Sequence, residues 1–219
     1  MPKVSVATKS QHKKVPATER GRQRQQQLLH VACEHFLKHG YAATSLDAIV
    51  TEAGGSKAAV YHHFGGKQAL FAAVIEQLCA EFLAQLRAID VSGVTLADGL
   101  RTILQELVNV VANARHVAFY RLVIAGSKRF PEAGQTWYEH GPMVWFDVFM
   151  RLFDIQERKG QIRADAPKAV VAGILFDAVL SFLTTQFVIL GKPIDKRLAE
   201  PVIEALITMA QSRLAPSCC

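Results

Sequence analysis

Residues 44–67 read TSLDAIVTEAGGSKAAVYHHFGGK, and this stretch decides the fold. Thr44-x-x-Asp47 has the form of a capping box, with Ser45 as the competing cap, and Leu46, Ile49, Val50 and Ala53 recur at helical spacing behind it. Gly54-Gly55 turns the chain, and Ser56 is placed to cap another helix reaching about His63. At 100° per residue Val60 and Phe64 share one side of that helix, fit for packing. His62 lies nearly opposite with Ala58 and Ala59, while Lys57, Tyr61 and His63 sit towards the edges. A helix that enters the major groove of a duplex needs short residues where it comes close and donors at the rim. The alanines permit close approach and can touch thymine methyls. Lys57 and His62 reach for base edges or phosphate, while Tyr61, His63, Lys67 and the helix start at Thr44 and Ser45 suit phosphate oxygens.

Working outward, the segment before it is basic. Residues 1–24 hold seven Lys and Arg side chains (Lys3, Lys9, Lys13, Lys14, Arg20, Arg22, Arg24) against Glu19 alone, and the rest of the chain balances 18 against 18. The whole excess of +6 therefore sits in one arm. A solubilising tail would look the same; beside a DNA-reading motif the arm predicts salt-sensitive phosphate contact. A first helix is expected over about Arg22–His39, with Leu29, Ala32, Cys33 and Phe36 inward and Gly40 as its stop.

At 219 residues and 50% hydrophobic composition the chain can bury a sizeable core. Beyond Lys67, helical periodicity predicts a long helix with Leu70, Phe71, Val74, Leu78 and Phe82 inward, then helices near 95–112, 115–128, 132–139, 142–159, 167–190 and 198–213, separated by Gly and Pro. Strand signals are scarce. The expected class is all-α, with about nine or ten helices: a basic arm at 1–21, a three-helix head with a helix-turn-helix at 22–66, a ligand-binding and dimerisation domain at 67–214 and a tail at 215–219.

Twelve of the 18 aromatic residues lie between Phe119 and Phe187. On 142–159 the charges Asp147, Arg151, Asp154 and Arg158 make a single stripe of Asp–Arg pairs on an otherwise apolar helix, and 167–190 carries Asp177 almost alone. Both are more apolar than a helix with one buried side requires. They predict a two-fold, four-helix dimer interface, the alternative being a monomer with two central helices. Asp177 needs a partner there, Ser181 or a group of the other subunit. The run Ala169–Gly191 is also long enough to span a bilayer, but Asp177, Thr184, Thr185 and Gln186 make lipid a poor solvent for it. No membrane partner is expected, and without an apolar leader the N-terminus predicts a cytoplasmic protein.

Cys33, Cys79, Cys218 and Cys219 show no metal-ligand rhythm; Cys33 reads as core, and the role of the terminal pair stays open. No acid–base pair, nucleophile arrangement or phosphate loop stands out, so neither an enzyme, a metal nor a cofactor is expected.

Thr44-Ser45-Leu46-x-x-Ile49 and Ala53-Gly54-x-Ser56-Lys57-x-x-Val60-Tyr61-x-His63-Phe64-x-x-Lys67-x-x-Leu70-Phe71 resemble the N-terminal signature of the TetR family of bacterial transcriptional regulators. The resemblance implies a homodimer that binds a palindromic duplex operator and, usually, a repressor released by a small molecule. By motif position it implies DNA contact at Ser45, Ser56, Lys57, Ala58, Ala59, Tyr61, His62, His63 and Lys67. The chain departs from the pattern at Ala58-Ala59, where the family often has Gly-Thr, and at Gly55, where it has an aliphatic residue. The segment Tyr120–Pro142 is similar to the AefR-like subgroup, which implies a lipophilic effector. Phe119, Tyr120, Trp137, Tyr138, Trp145, Phe149 and Phe176 then become candidate pocket walls, with Gln105, Asn109 and His116 as polar fixers. The competing expectation is a DNA-binding regulator or architectural factor with no small-molecule ligand, marked by an interior lacking a cavity of roughly 300 Å³ or more.

Overall fold

The structure is a computed structural model that describes residues 19–84, 86 and 89–216. Lys3, Lys9, Lys13 and Lys14 of the basic arm and the terminal Cys218 and Cys219 lie outside the described residues. Among the described residues the fold is all-helical, without strands. Among the described residues it has ten α-helices: α1 Glu19–Ala43, α2 Leu46–Glu52, α3 Lys57–Phe64, α4 Lys67–Phe82, α5 Leu96–Val111, α6 Ala114–Ser127, α7 Pro131–His140, α8 Pro142–Arg158, α9 Lys168–Leu183 and α10 Glu200–Leu214. A π-helical segment, Thr184–Ile189, prolongs α9.

Gly40 interrupts α1 as the sequence suggested, since its φ of 74° and ψ of 173° leave the helical region, and a side chain there would be strained. The apolar line of α1 is turned slightly from the expected one: Leu28, Val31, Ala32, Cys33 and Phe36 are buried, while Leu29 is only half-buried. The core of the head continues into the body. Ile49, Val50 and Val60 pack with Leu70, Phe71 and Val74 of α4, with Phe119 and Leu122 of α6, and with Phe130.

The second core is built on α5, whose Leu100, Ile103, Leu104 and Leu107 are fully buried against Val148, Phe149 and Leu152 of α8 and Leu175 and Val179 of α9. Ion pairs clasp its edges. Arg101 holds Glu204 of α10 with two hydrogen bonds, 3.0 and 2.8 Å. Lys168 bridges Asp154 at 2.8 Å and Glu157 at 2.5 Å. Asp154 is thus engaged by α9 and not by a neighbouring arginine of its own helix, because the two helices pack side by side.

The stretch Lys168–Ile189 passes the length and hydropathy test for a membrane span, with 22 residues and mean hydropathy 1.7. Apart from Ala169 in the first turn, the exposed residues of α9 form one line, Val170, Ile174, Asp177 and Ser181, at spacing i, i+4, i+7, i+11.

Candidate nucleic-acid interface

The side chains that cap the two short helices also fix their angle. The Ser45 hydroxyl accepts from the Ala48 amide at 3.0 Å, and the Ser56 hydroxyl accepts from the Ala59 amide at 3.3 Å. Each cap satisfies an amide with no partner inside the helix. Val60 is fully buried and Phe64 half-buried, so α3 is anchored by the flank the sequence assigned to packing. The other flank is open. Ala58, Tyr61 and His62 are exposed and Ala59 is half-buried, with 59% of Tyr61 accessible. Lys57 reaches back to Asp47 of α2, Nζ to Oδ1 at 2.8 Å. The hydrogen bond and charge of Asp47 hold the Lys57 ammonium above its ordinary pKa.

His62 and His63 meet edge to face, ring centroids 5.0 Å apart. Partial burial lowers the pKa of His63, and His62 and Arg24 add to the effect. Beside this pair runs a cleft of about 700 Å³ lined by Arg20, Gln23, Gln27 and the two histidines. Arg20, Gln23, Arg24 and Gln27 follow i, i+3, i+4, i+7 and so share a face of α1. That spacing is legible in the sequence, where Arg20 and Arg24 enter only as members of a basic arm. Arg24 has a further task. It donates to the Ala53 carbonyl at 2.7 Å and to the Gly54 carbonyl, closing the helix-turn-helix corner against α1. Gly55 makes room for it: a Cβ at that position would lie 2.5 Å from the Arg24 Nη2. A side chain there would require the guanidinium end of Arg24 to shift.

One expected contact is corrected, and a second is found partly enclosed. Thr44 is buried, 2% exposed, and its hydroxyl bonds the His35 carbonyl at 3.1 Å and the Gly40 carbonyl at 2.7 Å. It locks α2 onto the broken end of α1 and has no surface left for phosphate. Lys67 is half-buried with its ammonium 4.3 Å from the centre of the Tyr41 ring. Burial, then the charge of Arg129, lowers its pKa, so it is held at the joint between head and body.

Of the expected effector residues, five come together. His116, Phe119, Trp137, Trp145 and Phe176 line one cavity with Phe82 and Leu107. Tyr120 stands beside it, its ring 6.3 Å from His116 and 5.7 Å from Trp137. Phe149 is wholly buried in the core next to the cavity and is not part of its wall. Gln105, Asn109 and Tyr138 are exposed, and Asn109 is taken by Glu106 and Lys196. Gln105 and Asn109 are corrected to surface residues because α5 turns Leu104, Leu107 and Val108 inward at those turns, and Tyr138 on α7 is likewise at the surface. His116 is the polar group of the cavity. Burial pushes its pKa down to about 4, and its Nδ1 has no hydrogen-bond partner. The cavity is small, about 30 Å³, comparable with the share of one water in the liquid.

A three-helix head that caps, anchors and presents one flank of its third helix, set on an all-helical body, defines a helix-turn-helix DNA-binding regulator. Residues 28–74 match the family described as bacterial regulatory proteins, tetR family, and residues 98–213 match the AefR-like transcriptional repressor, C-terminal domain. The chain belongs to the TetR family of transcriptional regulators, which are DNA-binding proteins and not enzymes. Among curated relatives it is 28% identical over 162 residues to the HTH-type transcriptional regulator UidR of Escherichia coli K12, covering 71% of this chain and 78% of that protein. A putative TetR-family regulator of Mesorhizobium loti superposes with TM-score 0.76 at 24% identity, covering 88% of this chain and 98% of the other. The flavonoid-responsive regulator FrrA superposes with TM-score 0.70 at 26% identity, covering 90% and 100%.

Proposed function

We propose that the chain is a cytoplasmic homodimeric repressor that inserts α3 of each subunit into successive major grooves of a palindromic operator. The observation that carries this reading is the pair of unlike flanks on α3, Val60 buried and Ala58 and His62 exposed. Ser45, Ser56, Tyr61 and His63 border the exposed flank as phosphate contacts, and the Arg20–Gln27 face of α1 adds to them. Two recognition helices must stand roughly 34–36 Å apart to read adjacent turns. The exposed line Val170–Ile174–Asp177–Ser181 on α9, two aliphatic side chains followed by two polar ones, offers a face for pairing. Selecting bound fragments from random duplexes tests the reading: a two-fold symmetric consensus is expected, and Lys57→Ala or His62→Ala changes which sites are preferred. Ile174→Glu is expected to give monomers in sedimentation and to lose operator binding. A monomeric wild type, or a consensus without symmetry, overturns the proposal.

Release by a lipophilic effector is the second part of the reading, supported by the aromatic cavity and by the unpartnered Nδ1 of His116. One observation favours a regulator without such a switch: the cavity holds about 30 Å³, against roughly 300 Å³ or more for a drug-sized ligand. An effector of that size would have to widen the cavity. Melting curves with lipophilic compounds separate the two. A compound that raises the melting temperature and weakens operator binding establishes the switch, and a panel that does neither leaves the ligand-free regulator.

A further inference from the structure

A larger hollow lies elsewhere, between the head and the body. We propose that the groove between the end of α1 and α6 is a binding site for a small amphipathic carboxylate, distinct from the interior cavity. The groove measures about 460 Å³, within the range of small-molecule sites. Phe36, Leu37, Leu122 and Phe130 give it an apolar floor, while Arg121 and Arg129 stand in its wall.

The arginines fit it for an anion. The Arg129 guanidinium carbon lies 5.4 Å from the Phe130 ring centre and 6.0 Å from that of Tyr41, and among the described residues no carboxylate forms an ion pair with it. The nearest candidate, Glu132 on the first turn of α7, accepts instead from the Gln68 amide. Arg121 spends only its Nη2, which donates to the Phe187 and Val188 carbonyls at 3.2 Å each. Lys67 lies on the same Tyr41 ring, its ammonium disfavoured first by burial and then by the charge of Arg129. Two exposed guanidinium groups beside an apolar trough suit one negative group carrying a hydrocarbon tail. A guanidinium fork matches a carboxylate in particular. Gly40 builds the wall, since its break turns Tyr41 and Ala42 out of the line of α1. An occupant would touch α1 of the head and α6 of the body together.

The probe is dodecanoate, titrated below its micelle concentration into the full-length protein by calorimetry, with dodecanol and acetate as the tail and head alone. Saturable binding of dodecanoate is expected, with dodecanol and acetate each far weaker. Arg129→Gln is expected to weaken it roughly tenfold or more, the value of a charge-assisted hydrogen bond. Ala125→Trp, a change at an exposed position in the groove, is expected to block it. Operator binding on the same samples reports that each variant is folded. Absence of saturable binding, dodecanol binding as tightly as dodecanoate, or binding indifferent to both variants overturns the proposal. None of these outcomes bears on the DNA reading, which the operator measurement tests separately.

Discussion

Asp47 on the first turn of α2 holds Lys57, the first residue of α3, at 2.8 Å. The cation best placed to meet DNA is therefore tied to an acid that phosphate would repel. Asp47→Asn keeps the side-chain shape, frees Lys57 and removes a negative charge from the face. Binding is expected to tighten on operator and random duplex alike. The slope of log affinity against log salt should steepen by up to about 0.9, the value of one further phosphate contact. Anisotropy titrations at several salt concentrations check this, and an unchanged slope would show that Lys57 contacts no phosphate.

Thr44→Val tests the corrected role of Thr44. Removing its hydroxyl takes a donor from the part-buried His35 and Gly40 carbonyls, at a cost of about 1–2 kcal/mol. A lower melting temperature is expected, with operator affinity unchanged for the folded protein. Weaker DNA binding at full stability would restore the phosphate contact.

His116 makes stability depend on pH. The unfolded chain takes up a proton near the ordinary histidine value of 6.5, whereas the folded chain refuses it until about 4. The unfolded state therefore binds more protons in that window, so stability falls as pH drops from 6.5 to 4 and is whole above it. The loss amounts to about 3 kcal/mol at most. His116→Leu is expected to remove that part of the decline, seen as the difference between wild-type and variant melting temperatures from pH 7 to 4.5. Parallel curves would show that the imidazole is not desolvated.

Deleting residues 1–18 removes Lys3, Lys9, Lys13 and Lys14. Operator and random DNA are expected to lose affinity about equally, with a flatter salt dependence. Lost discrimination at an unchanged slope would contradict phosphate contact.

The helices of the chain were legible because caps, glycines and apolar periods agreed with one another, from Ser56 and Val60 in the head to Leu100 and Leu107 in the body. Thr44 was misread because its burial depends on the way Gly40 folds the end of α1 back, a tertiary event that no local pattern records. Arg24 was hidden among other charges, since only the folded corner reveals the carbonyls it serves. Lys67 carried the family's spacing, but Tyr41, distant in sequence, supplies the ring that holds it. Composition marked the aromatic region without its phase: the period of α5 places Leu107 inward and Gln105 outward, a distinction that a search for polar fixers passed over.

Cys33 in the head core and Cys79 beside the aromatic cavity are both buried, with thiols pushed up to about 12. Neither can react until its surroundings open. Once Cys218 and Cys219 are replaced by serine, the chain carries two native clocks. Alkylation at Cys33 times the loosening of the head, alkylation at Cys79 times the breathing of α4 where it borders the body, and the ratio of the two rates reveals whether they give way together or in turn.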